Sequence, residues 1–318
     1  MRFYQGKQSS VKPSKWKQDR EGVASVVGTI LALIVFLSIL GIFTNHYVPS
    51  MMASNEHQHD NTVISQLSEF KQSVDNMMMY STSSHSSTLS SYTPVTLGSS
   101  GVPMFAVGTQ GQMNVIPQSG STIPYFTVTL NYRISGINGN SIYHLSSASG
   151  GGIVVNMPNR YYVQQSVLYE NDAVILGQSN GELMIADPGF SITTQGGLHV
   201  NILQVSIATP TTANMTYSGT NTVAMSSSLL SFTRNSYTPY PLPGAASTNV
   251  NLTIGTPFPY AWTSFFNSTF ALAGLSSGLN YTLTVSGSSS QLYTVNLSLK
   301  GVSSLILTNT IVSVSPEE

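Results

Sequence analysis

Carboxylates are the side chains of this sequence best suited to acid–base chemistry, and few of them lie in its larger C-terminal part. Beyond residue 100 the chain has six: Glu170, Asp172, Glu182, Asp187, Glu317 and Glu318. Two carboxylates at a fixed separation can hydrolyse a glycosidic bond, and Glu170 and Glu182 could meet across a hairpin. Turn chemistry is the stronger interpretation of Asn171-Asp172 and of Asp187-Pro188-Gly189. No nucleophile-elbow, zinc-helix or phosphate-loop motif accompanies the acids, so we predict no catalytic residue.

The densest group of potential metal ligands is Glu56-His57-Gln58-His59-Asp60. On a helix, residues two apart point about 200° from each other, so the two histidines could share a metal ion only in an extended segment. We favour a helix, with this segment as a solvated face. Ser149-Gly150-Gly151-Gly152 precedes a strand-like sequence and not a helix, which argues against a nucleotide site. Since the chain also lacks Cys, the sequence predicts no metal and no cofactor.

Aromatic residues cluster in a short helix that the spacing predicts between 256 and 274. Trp262, Phe265, Phe266 and Phe270 would share one face of it. We expect these rings to pack in a core, and the alternative is an exposed aromatic platform that binds sugar. The same two interpretations apply to Tyr161, Tyr162 and Tyr169.

Short apolar–polar alternations separated by turn residues make up most of the chain beyond residue 100. Alternation is clearest over 125–130, 198–208, 281–285, 292–299 and 305–314, and Asn-Gly pairs stand at 138–139 and 180–181. Many short strands with closely spaced turns predict a mainly β fold. We therefore expect an all-β sandwich- or barrel-like domain over 101–318, with one short helix and a subdivision near 235–248.

Residues 23–44 are predicted to form a transmembrane helix, because these 22 residues carry no charge. As a helix they span about 33 Å, enough to cross a hydrocarbon core of about 30 Å, whereas a cleaved signal has an apolar region of only about 7–15 residues. Basic residues precede the segment: Arg2, Lys7, Lys12, Lys15, Lys17 and Arg20. The positive-inside rule makes 1–22 a cytoplasmic leader. The expectation is a single-pass protein of the cell membrane with an extracellular C-terminal domain.

The run from Arg20-Glu21-Gly22-Val23-Ala24 to Gly28 resembles the N-termini of archaeal type IV pilins and archaellins. In that family a peptidase cuts on the cytoplasmic side just before the apolar stretch, which implies cleavage between Gly22 and Val23. The family's helices pack together as a filament core. Glu21 stands where the family commonly has a basic residue. Segments 159–178 and 256–266 resemble archaeal surface proteins with pilin-like N-termini, which implies location and architecture but no activity.

Two features of the N-terminal helices could promote assembly. Ala24, Gly28 and Ala32 recur every four residues and form a small-residue ridge that lets apolar helices approach closely. A stripe at steps of four and three runs along an amphipathic helix predicted over 45–80, the stalk: Val63, Leu67, Phe70, Val74 and Met77. The ridge and the stalk together suggest a homo-oligomer as one form of assembly. The stripe fits either a coiled coil or docking onto the globular domain, and we favour docking.

Residues 81–100 are rich in Ser and Thr and have no periodicity. Such a composition predicts a flexible linker, which would leave 101–318 to fold alone.

Composition and sequons limit the partners. Net charge is −1 and only 7% of residues are charged, against roughly 25% in ordinary soluble domains, so no basic surface is available for nucleic acid. Sequons for N-glycosylation stand at Asn214, Asn251, Asn267, Asn280 and Asn296. We expect a membrane-anchored, non-catalytic archaeal surface protein with a structural role or a partner such as the surface layer or a glycan. The alternatives are a pilin-like filament subunit and, less favoured, an anchored hydrolase.

Overall fold

The described N-terminal part of the chain is helical throughout. The computed structural model describes residues 16–84, 89–119, 124–136, 139–240, 248–287 and 292–317. They form two units, one ending at Met51 and one beginning at Met52. The first contains α1 (Trp16–Ile42), a π-helical turn (Phe43–Tyr47) and the start of α2 (Val48–Ser84). Among the described residues, one helix is long and apolar enough to cross a membrane by length and composition, and its apolar window has no buried residue.

The π-helical turn lies just before Pro49. Proline has no N–H, and its ring would clash with the carbonyl four residues earlier in a regular helix. Here the N–H of Val48 bonds to the carbonyl of Phe43, five residues back, and the rings of Phe43 and Tyr47 stack at 5.9 Å. The wider turn allows the helical backbone to accommodate the proline.

The second unit contains three sheets among its described residues. The first sheet has the order β1 (Ser90–Thr96), β12 (Thr222–Tyr237), β16 (Val302–Glu317), β10 (Leu198–Ala208) and β9 (Phe190–Thr193). The second has the order β11 (Met215–Gly219), β2 (Gly111–Ile116), β5 (Gly152–Met157), β6 (Gln165–Glu170), β7 (Ala173–Gln178) and β8 (Gly181–Ala186). The third has the order β14 (Tyr281–Ser286), β15 (Tyr293–Lys300), β13 (Asn249–Thr256), β3 (Tyr125–Gly136) and β4 (Gly139–Gly150). Only β10 and β16 pair in parallel among these strands. The mainly β prediction is thereby confirmed.

A first hydrophobic core joins α2 to the first and second sheets. Five α2 residues of the predicted stripe belong to it: Val63, Leu67, Phe70, Val74 and Met77. They pack with inward-facing residues such as Val155 of β5 and Val314 of β16. The stripe therefore docks onto the β unit, as favoured from the sequence, because its apolar face is buried against two sheets.

Residues predicted as a linker take part in the same core. Strand β1 pairs antiparallel with β12, and Val95 and Leu97 are buried. The assignment of 81–100 as a flexible linker is therefore wrong over 81–84, which end α2, and over 89–100; residues 85–88 lie outside the described part. The apolar–polar alternation was hidden because Thr93 is buried on the inward face of β1 whereas Tyr92 is exposed on its outward face. The boundary expected at 101 is likewise misplaced, since the second unit begins at Met52. No division into further units falls at the described residues 235–240 or 248, and residues 241–247 lie outside the described part.

A second hydrophobic core joins the third sheet, part of the first sheet and the short helix α3 (Pro259–Leu272). The long strands β10 and β16 contribute to both cores: Ile202 and Leu307 to the second, Val205 and Val312 to the first. The two cores are thus built on one shared sheet, which makes the β part a single unit.

Candidate functional site: polar anchors between the helices and the sheets

Glu56 lies fully buried on α2 and binds two other segments of the chain. Its carboxylate accepts hydrogen bonds from the hydroxyl of Thr109 and from the backbone N–H groups of Arg160, Tyr161 and Tyr162, the last three at 2.8–3.0 Å. Burial alone would raise the pKa of Glu56, but these four donors outweigh it and hold the pKa below its usual value. The ionised carboxylate therefore ties α2 to the β5–β6 loop, residues 158–164.

The residues around Glu56 correct the prediction of a solvated face. His59 and Asp60 are buried: the imidazole of His59 contacts the carbonyl of Thr96 at 2.9 Å, and Asp60 accepts a hydrogen bond of 2.7 Å from Asn159. Their burial follows from helical spacing, which places 56, 60 and 63 on one face. Within the described ranges, no group of three potential ligands is arranged to hold a metal ion.

A second anchor joins the middle of α2 to a buried hairpin turn. Lys71 donates hydrogen bonds to Asp75 at 2.7 Å and to Asp172 at 3.1 Å. Asn171 and Asp172 form the β6–β7 turn and both have positive φ, 42° and 66°, as a two-residue hairpin of this type requires. Burial raises the pKa of Asp172 to about 7, with Asp75 adding to the rise and Lys71 opposing it. The turn predicted at 171–172 is confirmed.

Asn171 connects this turn to two of the sheets. Its side-chain oxygen accepts hydrogen bonds from the hydroxyl of Ser149 at 2.8 Å and from the N–H of Val205 at 3.1 Å. A buried turn would otherwise leave polar groups unsatisfied, at a cost of about 1–3 kcal/mol each. The hydrogen bonds of the Asn171 side chain thus offset part of the free-energy cost of burying the turn.

The two carboxylates considered for hydrolysis hold α3 instead. Oε1 of Glu170 accepts hydrogen bonds from the hydroxyl of Thr256 and the indole N–H of Trp262, both at 2.6 Å. Glu182 accepts backbone N–H bonds from Tyr260 and Ala261 in the first turn of α3. A carboxylate at a helix N-terminus satisfies unpaired donors and complements the helix dipole.

The space beside Glu170 is too small for a substrate. The cavity there has a volume of about 10 Å³, with Trp262 and Ile254 among its lining residues. A single water needs at least about 10–15 Å³. Burial raises the pKa of Glu170 to about 7, hydrogen bonds from Thr256 and Trp262 oppose the rise, and Glu182 adds to it. The raised pKa is therefore a property of a closed, packed site.

The aromatic residues divide between core and surface. Trp262, Phe266 and Phe270 are buried, Phe265 is partly buried, and the rings of Phe266 and Phe270 stack at 5.7 Å. The core assignment of the short helix is confirmed, and no sugar platform forms on it. Tyr169 is also buried, in edge contact with Phe70 at 4.9 Å.

Tyr161 and Tyr162 differ from the other predicted core aromatics. Their side chains are 45% and 36% exposed on the β5–β6 loop, and the ring of Tyr162 lies 4.9 Å from that of His57. The core prediction is wrong for these two residues, because the loop is held through its backbone N–H groups and not through its rings.

The other predicted positions lie on the surface. Val23, Ala24, Gly28 and Ala32 are exposed on α1, and no atom lies within 4 Å of where a Cβ on Gly28 would be. Gly22 lies in the same helix. Three sequon residues are exposed and two are partly exposed: Asn214, Asn251 and Asn267, then Asn280 and Asn296. The sites predicted for helix packing and glycosylation are thus not enclosed by the described part of this chain.

One signal in the sequence could have revealed the Glu56 anchor. Extending the apolar stripe backwards from Val63 by three and then four residues reaches Asp60 and Glu56, and the next step reaches buried Met52. Acids on an apolar stripe indicate buried, hydrogen-bonded carboxylates. Nothing local marks Thr109 and Asn159 as their partners.

The chain was also compared with known proteins. No protein-family model matches it, and neither the curated proteins nor the solved structures contain a match.

Proposed function

We propose that this chain is a membrane-anchored cell-surface protein whose β-rich unit lies outside the cell and has a non-catalytic, structural or partner-binding role. The proposal rests on a difference in side-chain burial between the first and second parts of the N-terminal helices. Residues 23–39 are all exposed although most of them are apolar, whereas the stripe of α2 is buried in the β unit. The first part of the helices thus presents an exposed apolar surface, and the second part contributes its apolar face to the core of the β unit.

The exposed apolar surface needs a cover. Twelve large apolar side chains between 23 and 42 are more than half exposed, among them Leu31 at 63% and Phe36 at 61%. Covering half of such a side chain is worth about 1 kcal/mol, so the segment would gain on the order of 10 kcal/mol on leaving water. A lipid bilayer provides this cover over the length of the segment. The basic leader favours a cytoplasmic N-terminus and therefore an extracellular β unit.

Two kinds of observation support a non-catalytic role. The most buried acids are engaged in holding elements together: Glu56 binds a loop, Asp172 pairs with Lys71, and Glu170 binds Trp262. The cavity beside Glu170 cannot admit a substrate. These contacts also weaken the case for an anchored hydrolase.

A pilin-like filament subunit is the second candidate. Its support is the exposed ridge of Ala24, Gly28 and Ala32 together with the leader that resembles archaeal pilins. If the helices of several copies packed through this ridge, they would cover the same apolar surface as lipid does. Sequencing the mature N-terminus separates the candidates: a start at Val23 supports export into a filament, and an intact leader supports a permanent anchor.

The anchor itself can be tested by alkaline carbonate extraction of membranes from cells that express the full chain. We expect the protein to stay in the membrane pellet. Replacing Leu33 and Leu37 by Asp should release it, because an Asp at the centre of a spanning helix costs about 2.5–3.5 kcal/mol. The matched control replaces the same residues by Val. Release of the unchanged protein, or retention of the double Asp variant, would contradict a transmembrane anchor.

A further inference from the structure

An apolar hairpin projects from the second unit. Its residues are 101–108, and Val102 and Ala106 exchange backbone hydrogen bonds of 2.9 Å at its tip. Met104 is 99% exposed and Val107 is 81% exposed. Met104 also has a φ of 66°, which is uncommon for a residue other than glycine. A strained turn that displays apolar side chains indicates a surface with a function.

Side-chain contacts hold the base of the hairpin against α2. Gln66 binds the backbone of Thr96 at 3.0 Å, Glu56 binds Thr109, and Asn55 binds the carbonyl of Ser100 at 3.0 Å. As the chain advances from 96 to 100, its partners on α2 move back from 66 to 55. The base of the hairpin, at Ser100 and Thr109, therefore lies beside Asn55 and Glu56.

A second exposed loop lies at the same end of α2. The β5–β6 loop is held by Glu56 and presents Tyr161, Tyr162 and Val163, which are 45%, 36% and 43% exposed. Arg160 is exposed beside them. Tyr and Arg are residues that suit the boundary between water and lipid, where rings meet headgroups and cations meet phosphates.

Chain length and charge fit a lipid surface. Only eleven residues, 45–55, separate the apolar segment from Asn55, so Asn55 is tethered within about 40 Å of the end of that segment even when the connection is fully extended. The hairpin adds four residues, or about 13 Å, so the tether allows its tip to reach the headgroup region. From 97 to 111 the chain carries no charge, and 158–164 carries only Arg160, so no acid in either segment opposes contact with anionic lipid.

We propose that the apolar hairpin and the β5–β6 loop insert into the headgroup region of the membrane in which the chain is anchored. Met104 and Val107 would enter the apolar boundary, and Tyr161, Tyr162 and Arg160 would lie among the headgroups. Together with the anchor they would give the β unit a second attachment to the lipid surface and restrict its tilt. This inference rests on the proposed membrane anchor.

Depth-dependent fluorescence tests the inference on the full chain. The sequence has no Cys, so Met104→Cys or Val107→Cys introduces a single labelling site for a polarity-sensitive dye. The control is Leu272→Cys, equally apolar and 91% exposed at the end of α3, which packs on the second core. Each protein is placed in vesicles of phosphatidylcholine and phosphatidylglycerol with spin-labelled lipid, and acrylamide serves as the aqueous quencher.

We expect the labels at 104 and 107 to be quenched by the spin-labelled lipid several-fold more than the label at 272, and less by acrylamide. Equal quenching by acrylamide at all three positions would overturn the inference. Protection of 104 and 107 from both quenchers would also overturn it, since a protein would then cover the hairpin. Vesicle flotation after a carbonate wash is measured separately. Failure to float overturns the anchor and this inference together, whereas floating protein with exposed labels overturns this inference alone.

Discussion

The indole N–H of Trp262 donates a hydrogen bond of 2.6 Å to Oε1 of Glu170, and both side chains are buried. The two residues belong to α3 and to the end of β6, so this bond joins the second core to the second sheet. Because burial raises the pKa of Glu170 to about 7, the carboxyl is partly protonated near neutral pH in the folded state. In an unfolded chain it would be ionised.

Stability should therefore fall as pH rises through this range. Between the ordinary pKa of 4.5 and the folded value of about 7, the folded state binds more protons than the unfolded state, so the free energy of unfolding decreases with pH. Glu170 alone should account for a decrease of about 3 kcal/mol between about pH 5 and pH 8. Glu170→Gln removes this pH-dependent contribution to the free energy of unfolding. The melting temperature of the variant should therefore rise relative to that of the unchanged protein as pH increases.

Thermal melts of the full chain in detergent, followed by circular dichroism, measure the effect. Asp187→Asn is the matched control, because Asp187 is exposed. Parallel curves of melting temperature against pH for the unchanged protein and for Glu170→Gln would contradict this account of Glu170.

Removing the Glu56 carboxylate should destabilise the second unit. Glu56→Ala leaves the N–H groups of Arg160, Tyr161 and Tyr162 without their acceptor in a buried site. Each hydrogen bond to a charged group contributes about 1.5–3 kcal/mol, so we expect a loss of at least about 3 kcal/mol in the free energy of unfolding. Glu69→Ala, at an exposed position of the same helix, should change it by less than about 0.5 kcal/mol. Urea denaturation measures both, and equal effects would contradict the anchor.

Replacing Lys71 by Met should destabilise the protein more at high pH than at low pH. Lys71 is the cation that opposes the burial-driven rise in the pKa of Asp172, so the variant leaves that carboxylate uncompensated once it ionises. Breaking a buried pair in this way costs about 3–5 kcal/mol. Near pH 5 a protonated Asp172 tolerates the loss, because its pKa is already raised to about 7.

The double variant Lys71→Met with Asp172→Asn distinguishes charge from packing. It should recover most of the stability lost at about pH 8, because no buried charge is left unpaired. Urea denaturation at the two pH values measures the recovery. A loss that is independent of pH, or no recovery in the double variant, would show that Lys71 acts through its aliphatic stem.

A fragment of residues 101–318 should not fold, whereas residues 48–318 should. The shorter fragment lacks α2 and β1, which together place seven buried apolar residues in the first core, including Leu67 and Phe70. At about 1.5–3 kcal/mol each, their loss removes more than 10 kcal/mol, which is comparable to the whole stability of a domain. Circular dichroism should show cooperative melting only for the longer fragment. Cooperative melting of 101–318 would contradict this prediction and support the sequence-based expectation that 101–318 folds alone.

The sequence predicted the features that depend on local periodicity. The apolar segment 23–44, the α2 stripe, the aromatic face of α3 and the β character of the rest all follow from side-chain spacing along one element. It failed at 89–100, where β1 buries Thr93 and exposes Tyr92, so that polarity does not mark its two faces. It also failed at Tyr161 and Tyr162, whose environment depends on a loop.

Sequence by itself determined the elements and their apolar faces, because a helix or strand buries whatever its own repeat places on one side. Only the tertiary structure decided which polar groups meet. Glu56 and Tyr161 are 105 residues apart and Glu170 and Trp262 are 92 apart, yet each pair is in direct contact. Partners at such separation depend on how the sheets are ordered, which no local spacing encodes. For the same reason, acids that are plain candidates for catalysis in the sequence become structural hydrogen-bond acceptors in the fold.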